Sequence, residues 1–268
     1  MAEDRSRALS AERSETVRSA LNAAFGAVPI DAITPITGGA SGAFPFRAEI
    51  RGRSYLVRLE GAASPLRNPN QYESMRIAAQ AGIAPKIYYI DEAARVAVMD
   101  FIEERSLSAF PGGPPALAHA IGEVLRRVQT TPLFPEFVEY PDIVSRLWTW
   151  VCRTGLFASG VLDAYAERLE SIREAYARHP VNLVSSHNDF VRRNLLFDGE
   201  RLWLIDWESA YRNDPLVDVA IALDSFAASP ELARVLLNAW LGHEPDDALY
   251  DRWLWCERSR DSTMPASF

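Results

Sequence analysis

Three side chains in the second half of the chain, His187, Asp189 and Asn194, have types and a spacing that could do chemistry. They follow the short apolar run 181–184, which is typical of a buried strand, and they interrupt it with polar groups. A carboxylate such as that of Asp189 can accept a proton from an attacking hydroxyl. An amide oxygen such as that of Asn194 can bind a hard cation. The spacing therefore indicates a metal-assisted transfer reaction.

A predicted β-hairpin brings a second carboxylate to the same place. Two apolar runs follow Asn194, and the strong turn signal Asp198-Gly199 lies between them. Asp206 ends the second run, so a hairpin folded at this turn places Asn194 and Asp206 at its open end. Magnesium takes one or two such ligands from a protein and the rest from water and phosphate. The pattern therefore predicts Mg²⁺-dependent phosphoryl transfer with Asp189 as the base.

Composition excludes several other classes of function. The chain has 268 residues, of which 48% are hydrophobic and 24% charged, as is ordinary for a globular enzyme. The formal net charge of -8 and the lack of a basic stripe argue against a nucleic-acid partner, while they tolerate a cationic substrate. Neither of the two cysteines belongs to a C-x-x-C pair, which argues against a metal or redox site built on cysteine. We expect no membrane span and a cytoplasmic location, because no long apolar run and no signal-peptide pattern occur.

Residues 1–103 predict a small β-rich lobe. Helices are predicted over 14–25 and 70–82, and five strands over 30–36, 44–50, 54–59, 86–90 and 96–102. The turn between the first two strands is rich in glycine and includes Gly38, Gly39, Ser41 and Gly42. Such a turn lets backbone N–H groups approach phosphate oxygens closely, although most glycine-rich hairpins are simple turns.

A cation in the third predicted strand, Arg58, could hold the α- and β-phosphates of a nucleotide. Glu73 in the first turn of the following helix could pair with it. The alternatives are a solvent-facing arginine and a surface acid that the helix dipole favours. The end of the fifth strand would be the crossing where backbone groups bind adenine, at Met99, Asp100 and Phe101.

Residues 104–268 predict a larger, mainly helical lobe. Its predicted helices cover 116–129, 142–154, 162–179 and 216–226. Asp218 lies inside the apolar run of the last of these helices, where a carboxylate is costly unless it is hydrogen-bonded. We therefore expect Asp218 to cap the backbone of the Asp189 loop.

The chain resembles the aminoglycoside phosphotransferase/choline kinase family, which has a protein-kinase-like two-lobe fold. The resemblance covers residues 30 to about 240 and is most specific in SHNDFVRRNLLFDGERLWLIDWE. This stretch is most similar to bacterial choline/ethanolamine kinases. The resemblance implies an α+β fold with a small antiparallel β lobe, 1–103, and a larger mainly helical lobe, 104–268.

The resemblance also implies a role for each matching position. Asp189 would be the catalytic base, and Asn194 and Asp206 would be magnesium ligands. His187 and Asp218 would support the loop that carries Asp189. Residues 38–42 would cover the phosphates, and Arg58 would form an ion pair with Glu73. Glu208 would shape the metal or acceptor site. Tyr211, Trp253 and Trp255 could contribute to a cation-binding box or could pack in the core.

The leading hypothesis is an enzyme that uses ATP and Mg²⁺ to phosphorylate a small-molecule alcohol. Choline, ethanolamine or a similar cationic amino alcohol is the expected acceptor. An aminoglycoside or a macrolide is the alternative acceptor within the same enzyme class. A nucleotide-binding pseudokinase without transfer activity is the alternative from another class. The oligomeric state is left open.

Overall fold

A five-stranded antiparallel sheet forms the first part of the computed structural model, which describes residues 11–37, 42–61, 68–178 and 181–244. The strand order is β1-β2-β3-β5-β4. The strands are β1 (Ala32–Pro35), β2 (Phe44–Ile50), β3 (Arg53–Leu59), β4 (Ile87–Asp91) and β5 (Val96–Asp100). All five match predicted strands, because alternating side chains point to opposite faces of a sheet.

Helix α1 (Ala11–Phe25) covers one face of this sheet. Its Val17 and Leu21 are buried in one cluster with Phe46 and Val57 of the sheet. Burial of these apolar side chains stabilises the pairing of helix and sheet.

Helix α2 (Gln71–Gln80) follows β3 and links the sheet to the second half of the chain. Ser74 Oγ donates a hydrogen bond of 2.9 Å to the carbonyl oxygen of Ala210. Asn68 Nδ2, just before the helix, donates to the same oxygen at 2.6 Å. These bonds hold the turn that contains Ala210 against the helix.

Five helices occupy the described part of the second half. They are α3 (Gly113–Gln129), α4 (Tyr140–Arg153), α5 (Asp163–Arg178), α6 (Pro215–Asp224) and α7 (Pro230–Leu241). The first four match predicted helices, and α7 was not predicted. Helices α3 and α7 bury apolar faces against each other, with Leu117, Ile121 and Leu236 in the core.

Two short antiparallel pairs carry the residues of chemical interest. β6 (Val184–Ser186) pairs with β9 (Tyr211–Asn213), a strand that was not predicted. β7 (Leu195–Phe197) pairs with β8 (Leu202–Leu204) in the predicted hairpin. The α+β class predicted from the sequence is thus confirmed. None of the described helices is long and apolar enough to cross a membrane.

Candidate active site

The loop that carries Asp189 begins where β6 ends. Asn188 has a left-handed backbone with φ of 60°, which Asn tolerates better than most residues. Its Nδ2 donates to the carbonyl oxygens of Ser209 at 2.9 Å and Tyr211 at 3.2 Å. Its Oδ1 accepts from Asn213 Nδ2 at 2.7 Å. Asn188 therefore fixes the loop to β9, a role that was not predicted although its place between His187 and Asp189 was a signal.

The carboxylate of Asp218, on α6, holds the same loop from the other side. It accepts hydrogen bonds from the backbone N–H of His187 at 2.6 Å and of Asn188 at 2.7 Å. The side chain is fully buried, and burial raises the pKa of the Asp218 carboxyl above its ordinary value, an effect that the charge of His187 and the N–H donors only partly offset. Asp218 thus braces the backbone of the two residues that precede Asp189.

The ring of His187 connects this loop to the end of β8. It is fully buried, and its Nε2 donates to the carbonyl oxygen of Ile205 at 2.9 Å. It packs against the ring of Trp207 in a T-shaped contact, with centroids 4.7 Å apart. His187 therefore sets the position of the residues on both sides of Asp206.

Asn194 orients the carboxylate of Asp189. Its Nδ2 donates to the backbone oxygen of Asp189 and to Asp189 Oδ2, each at 2.9 Å. Both amide hydrogens are therefore used, and no donor within the described ranges contacts Asn194 Oδ1. That oxygen is left as an acceptor for a cation.

The hairpin ends as the turn signal predicts. The backbone N–H of Ile205 donates to the oxygen of Asn194 at 2.9 Å, which closes the ladder and brings Asn194 beside Asp206. Asp206 itself has a left-handed backbone with φ of 67°. Such backbone in a non-glycine residue is costly and concentrates at functional sites.

Arg58 pairs with acids other than the predicted Glu73. Its Nη2 is 2.8 Å from Asp206 Oδ1 and 3.5 Å from Glu208 Oε2. The predicted pair with Glu73 does not form, and Glu73 contacts Arg76 at 3.4 Å. The reason is the orientation of α2, which buries Ser74 and Met75 and leaves Glu73 exposed.

A cavity of about 680 Å³, here called the cleft cavity, separates the sheet from the hairpin. Arg58 and Met99 line it from the sheet, and Asp189, Asn194 and Asp206 line it from the other side. Glu208 also lines it.

The predicted adenine-binding residues Met99, Asp100 and Phe101 lie along this cavity. The residues at positions 101–104 belong to no helix or strand, so their backbone groups are not committed to regular secondary structure. Of the predicted phosphate loop, Gly42 has φ of 66°, which suits glycine. Gly38, Gly39 and Ser41 lie outside the described residues.

The residues around Arg58 fit a magnesium ion. Among the described residues no group of three His, Cys, Asp or Glu side chains could hold a metal by itself. Mg²⁺ needs only one or two protein oxygens beside water and phosphate, and Asp206 with Asn194 Oδ1 supplies them. Asp206 and Glu208 already attract one positive charge, since the guanidinium of Arg58 lies 2.8 Å and 3.5 Å from their carboxylate oxygens.

A second cavity of about 770 Å³, here called the helical cavity, lies between α4, α5, α6 and the loop after Asp189. Its walls are mainly apolar, and charge is added by Arg173, Arg192, Arg193, Asp214 and Asp224. No aromatic side chain lines it within the described ranges.

Of the three aromatic residues considered for a cation-binding box, the structure describes Tyr211. Tyr211 is buried at 2% exposure against Phe137 and lines neither cavity, so its contacts are those of a packing residue. Trp253 and Trp255 lie outside the described residues.

Comparison with known proteins places this chain in a family. The model of the phosphotransferase enzyme family matches residues 32–255. Over 54 residues the chain is 43% identical to the protein LicA of Haemophilus influenzae. That match covers 20% of this chain and 20% of LicA, about a fifth of the length of this curated relative.

Two solved structures share the fold across most of the chain. A choline/ethanolamine kinase family protein from Mesorhizobium loti has a TM-score of 0.64 at 24% identity, covering 94% of this chain and 88% of that chain. A spectinomycin phosphotransferase in complex with ADP and spectinomycin has a TM-score of 0.62 at 15% identity, covering 89% and 84%. At these identities the likeness concerns the fold.

The fold is therefore protein-kinase-like, with a small antiparallel β lobe and a larger mainly helical lobe, as the sequence predicts. Since the family match extends over most of its length, the chain belongs to the phosphotransferase enzyme family. The enzyme class predicted from the sequence, a phosphotransferase, is confirmed.

Proposed function

We propose that this protein transfers the γ-phosphoryl group of ATP to a small-molecule alcohol in a Mg²⁺-dependent reaction. The observation that carries the proposal is the clustering of Asp189, Asn194 and Asp206 on one wall of the cleft cavity, opposite Arg58 and Met99. A base, oxygen donors for a hard cation and a guanidinium for phosphate are the groups that phosphoryl transfer requires.

Each of these side chains has a separate role in the reaction. Asp189 accepts the hydroxyl proton as the acceptor oxygen attacks the γ-phosphorus, and ADP leaves with the bridging oxygen. Asn194 orients Asp189 through two hydrogen bonds. Arg58 holds the α- and β-phosphates once the nucleotide is present. Asp206 and Asn194 would hold Mg²⁺, which supplies positive charge for the phosphate oxygens when bound.

A cationic amino alcohol such as choline or ethanolamine is the first candidate acceptor. The support is the Mesorhizobium loti neighbour, which is a choline/ethanolamine kinase family protein. Asp224, which lines the helical cavity, offers a carboxylate to an ammonium group.

An antibiotic is the second candidate acceptor, and the helical cavity favours it. A volume of about 770 Å³ with mainly apolar walls exceeds what a small amino alcohol fills. The fold neighbour with ADP and spectinomycin supports the same class of acceptor. A nucleotide-binding pseudokinase is the remaining alternative.

Measurement of ADP release separates these functions. The protein is given ATP and Mg²⁺ with a panel of amino alcohols, and separately with aminoglycosides and macrolides. Turnover on amino alcohols supports the first acceptor class, and turnover on the drugs alone supports the second. Mg²⁺-dependent ATP binding without turnover on any compound would favour the pseudokinase. Absence of ATP binding would contradict the whole proposal.

We place the division between a nucleotide-binding lobe and a catalytic, acceptor-binding lobe at residues 103 and 104, just after β5 ends at Asp100. A cytoplasmic location accompanies the use of ATP.

A further inference from the structure

Arg193 lies where the two cavities meet. Among the residues that the structure describes, it is the one that lines both the cleft cavity and the helical cavity. It belongs to the 3-10 turn Arg192–Asn194, directly after the loop of Asp189. A nucleotide in the cleft cavity and an acceptor in the helical cavity would therefore approach each other beside this side chain.

The contact of Arg193 with Asp189 is weak enough to exchange. Its Nη2 is 3.3 Å from Asp189 Oδ2 and 3.5 Å from Oδ1, and its side chain is 65% exposed. Asn194 donates to the same Oδ2 at 2.9 Å. Long, exposed ion pairs contribute little to stability, so the guanidinium can leave Asp189 at small cost while Asn194 keeps the carboxylate in place.

The chemistry of the transfer favours a second cation at this position. A phosphoryl group in transfer spreads negative charge over three equatorial oxygens. A guanidinium offers planar paired donors that match such oxygens. Arg58, the other arginine among the described residues of the cleft cavity, is held by Asp206 and Glu208. Arg193 supplies charge on the side of Asp189.

We propose that Arg193 is a catalytic residue that binds the phosphoryl group during its transfer and releases Asp189 as it does so. The proposal rests on the phosphotransferase activity proposed above. The acceptor oxygen forms a bond to the γ-phosphorus, the bond to the bridging oxygen breaks, and ADP takes that electron pair. The hydroxyl proton goes to Asp189. Arg193 donates hydrogen bonds and keeps its protons.

Binding of ADP with aluminium fluoride, a mimic of the phosphoryl group in transfer, tests this role without any acceptor. ADP affinity is titrated with Mg²⁺, with and without aluminium fluoride. We expect the wild-type protein to bind ADP more tightly with the mimic. Arg193→Gln should lose about 10- to 100-fold of this gain, the value of charged hydrogen bonds, and keep its affinity for ADP alone. Arg193→Lys should recover part of the gain.

The matched control is Arg192→Gln, which removes the same charge one residue earlier, from a side chain that lines the helical cavity and not the cleft cavity. This variant should keep the full gain. An equal loss in both variants, an unchanged gain in Arg193→Gln, or no gain in the wild-type protein would overturn the role of Arg193 and leave the proposed function standing. A wild-type protein that binds no ADP with Mg²⁺ would overturn both.

Discussion

Asp218 fixes the backbone before the proposed base, because its buried carboxylate accepts hydrogen bonds from that backbone. Two N–H groups, of His187 and Asn188, converge on its two oxygens. An acid inside an apolar helical run must find such donors, so the sequence alone indicated its role. Asn188 was missed because its side chain bonds to carbonyls of the turn before β9 and of β9 itself, and those contacts depend on tertiary structure.

Substitution of Asp218 by Asn should destabilise the fold. The amide keeps one acceptor oxygen and turns an NH₂ group toward the second backbone N–H, which leaves a buried donor unsatisfied. We expect a loss of about 1–3 kcal/mol in the free energy of unfolding, measured in urea. Asp224→Asn, six residues later at the exposed end of the same helix, is the control and should change stability little. Equal losses in the two variants would refute the bracing role.

The partner of Arg58 could not be predicted from residue types. Periodicity indicated that α2 is a helix, but its rotation against the sheet decides which side chains face the cleft, and Glu73 faces solvent. Asp206 and Glu208 follow β8 and approach Arg58 from the other side of the cavity. Contacts between distant segments of this kind are set by packing.

Substitution of Arg58 by Gln should change the response to magnesium. Without the guanidinium, Asp206 loses its 2.8 Å ion pair with Arg58, so we expect a loss of about 1–2 kcal/mol in the free energy of unfolding. Mg²⁺ should then raise the melting temperature of Arg58→Gln more than that of the wild-type protein. Arg53→Gln is the control, since Arg53 pairs with Asp100 at the same 2.8 Å distance but is 59% exposed. Equal Mg²⁺ responses in all three proteins would contradict this view of the site.

Hairpin β7–β8 illustrates which elements local sequence can specify. Asp198 Oδ1 accepts from the backbone N–H of Glu200 and Arg201, and Oδ2 accepts from Trp203 Nε1 at 2.7 Å. The turn is therefore encoded in adjacent residues. Strand β9 has three residues and exists through its pairing with distant β6, so its own sequence gives little signal.

The stability of the protein should depend on pH through the ionisation of Asp198, the carboxylate of this turn. Burial alone would raise the pKa of Asp198, but the hydrogen bonds from Trp203, Arg201 and Glu200 together lower it. A lowered folded pKa contributes stability above the unfolded value of about 3.9, and this stability is lost as pH falls through the folded pKa.

Asp198→Asn should therefore cost about 1–2 kcal/mol near neutral pH, and its difference from the wild-type protein should shrink on acidification. Urea unfolding at several pH values measures the loss of stability near neutral pH and its decrease on acidification. Glu200→Gln removes an exposed charge from the same turn and serves as the control. If the difference in unfolding free energy between wild type and Asp198→Asn stays constant with pH, an ionised Asp198 does not stabilise this turn.

Helix α7 was missed although its ends carry ordinary signals. Ser229 accepts from the N–H of Leu232, Pro230 opens the helix, and Gly242 ends it in the left-handed region. Its tight packing on α3 could not be predicted from the sequence, because it depends on the close approach of α7 at Gly122. A Cβ at Gly122 would lie 2.8 Å from Ala239 Cβ and closer still to the carbonyl oxygen of Leu236.

Gly122→Ala should consequently destabilise the protein, although alanine is normally favoured over glycine in a helix. Forcing α3 and α7 apart should cost about 1–3 kcal/mol in the free energy of unfolding. His119→Ala on the exposed side of the same helix controls for helix propensity and should have little effect. A Gly122→Ala protein more stable than wild type would show that the two helices are not in close contact.

At the scale of the whole molecule, the two-lobe class follows from a run of strands before a run of helices, which the sequence shows. The cleft cavity follows as well, because Arg58 lies in the β lobe and Asp189, Asn194 and Asp206 lie in the helical lobe. The helical cavity does not, since its shape depends on how α4, α5 and α6 sit around the loop after Asp189. The nucleotide chemistry is therefore easier to predict than the acceptor.

The most direct test compares ATP binding and ATP turnover in Asp189→Asn. Asparagine keeps the shape of the side chain and removes the proton acceptor. With the acceptor found in the panel, or with water if none is found, turnover should fall by about 10²- to 10⁴-fold while Mg²⁺-dependent ATP affinity stays within about twofold of wild type. A variant that retains full turnover would contradict the assignment of Asp189 as the base in this cleft.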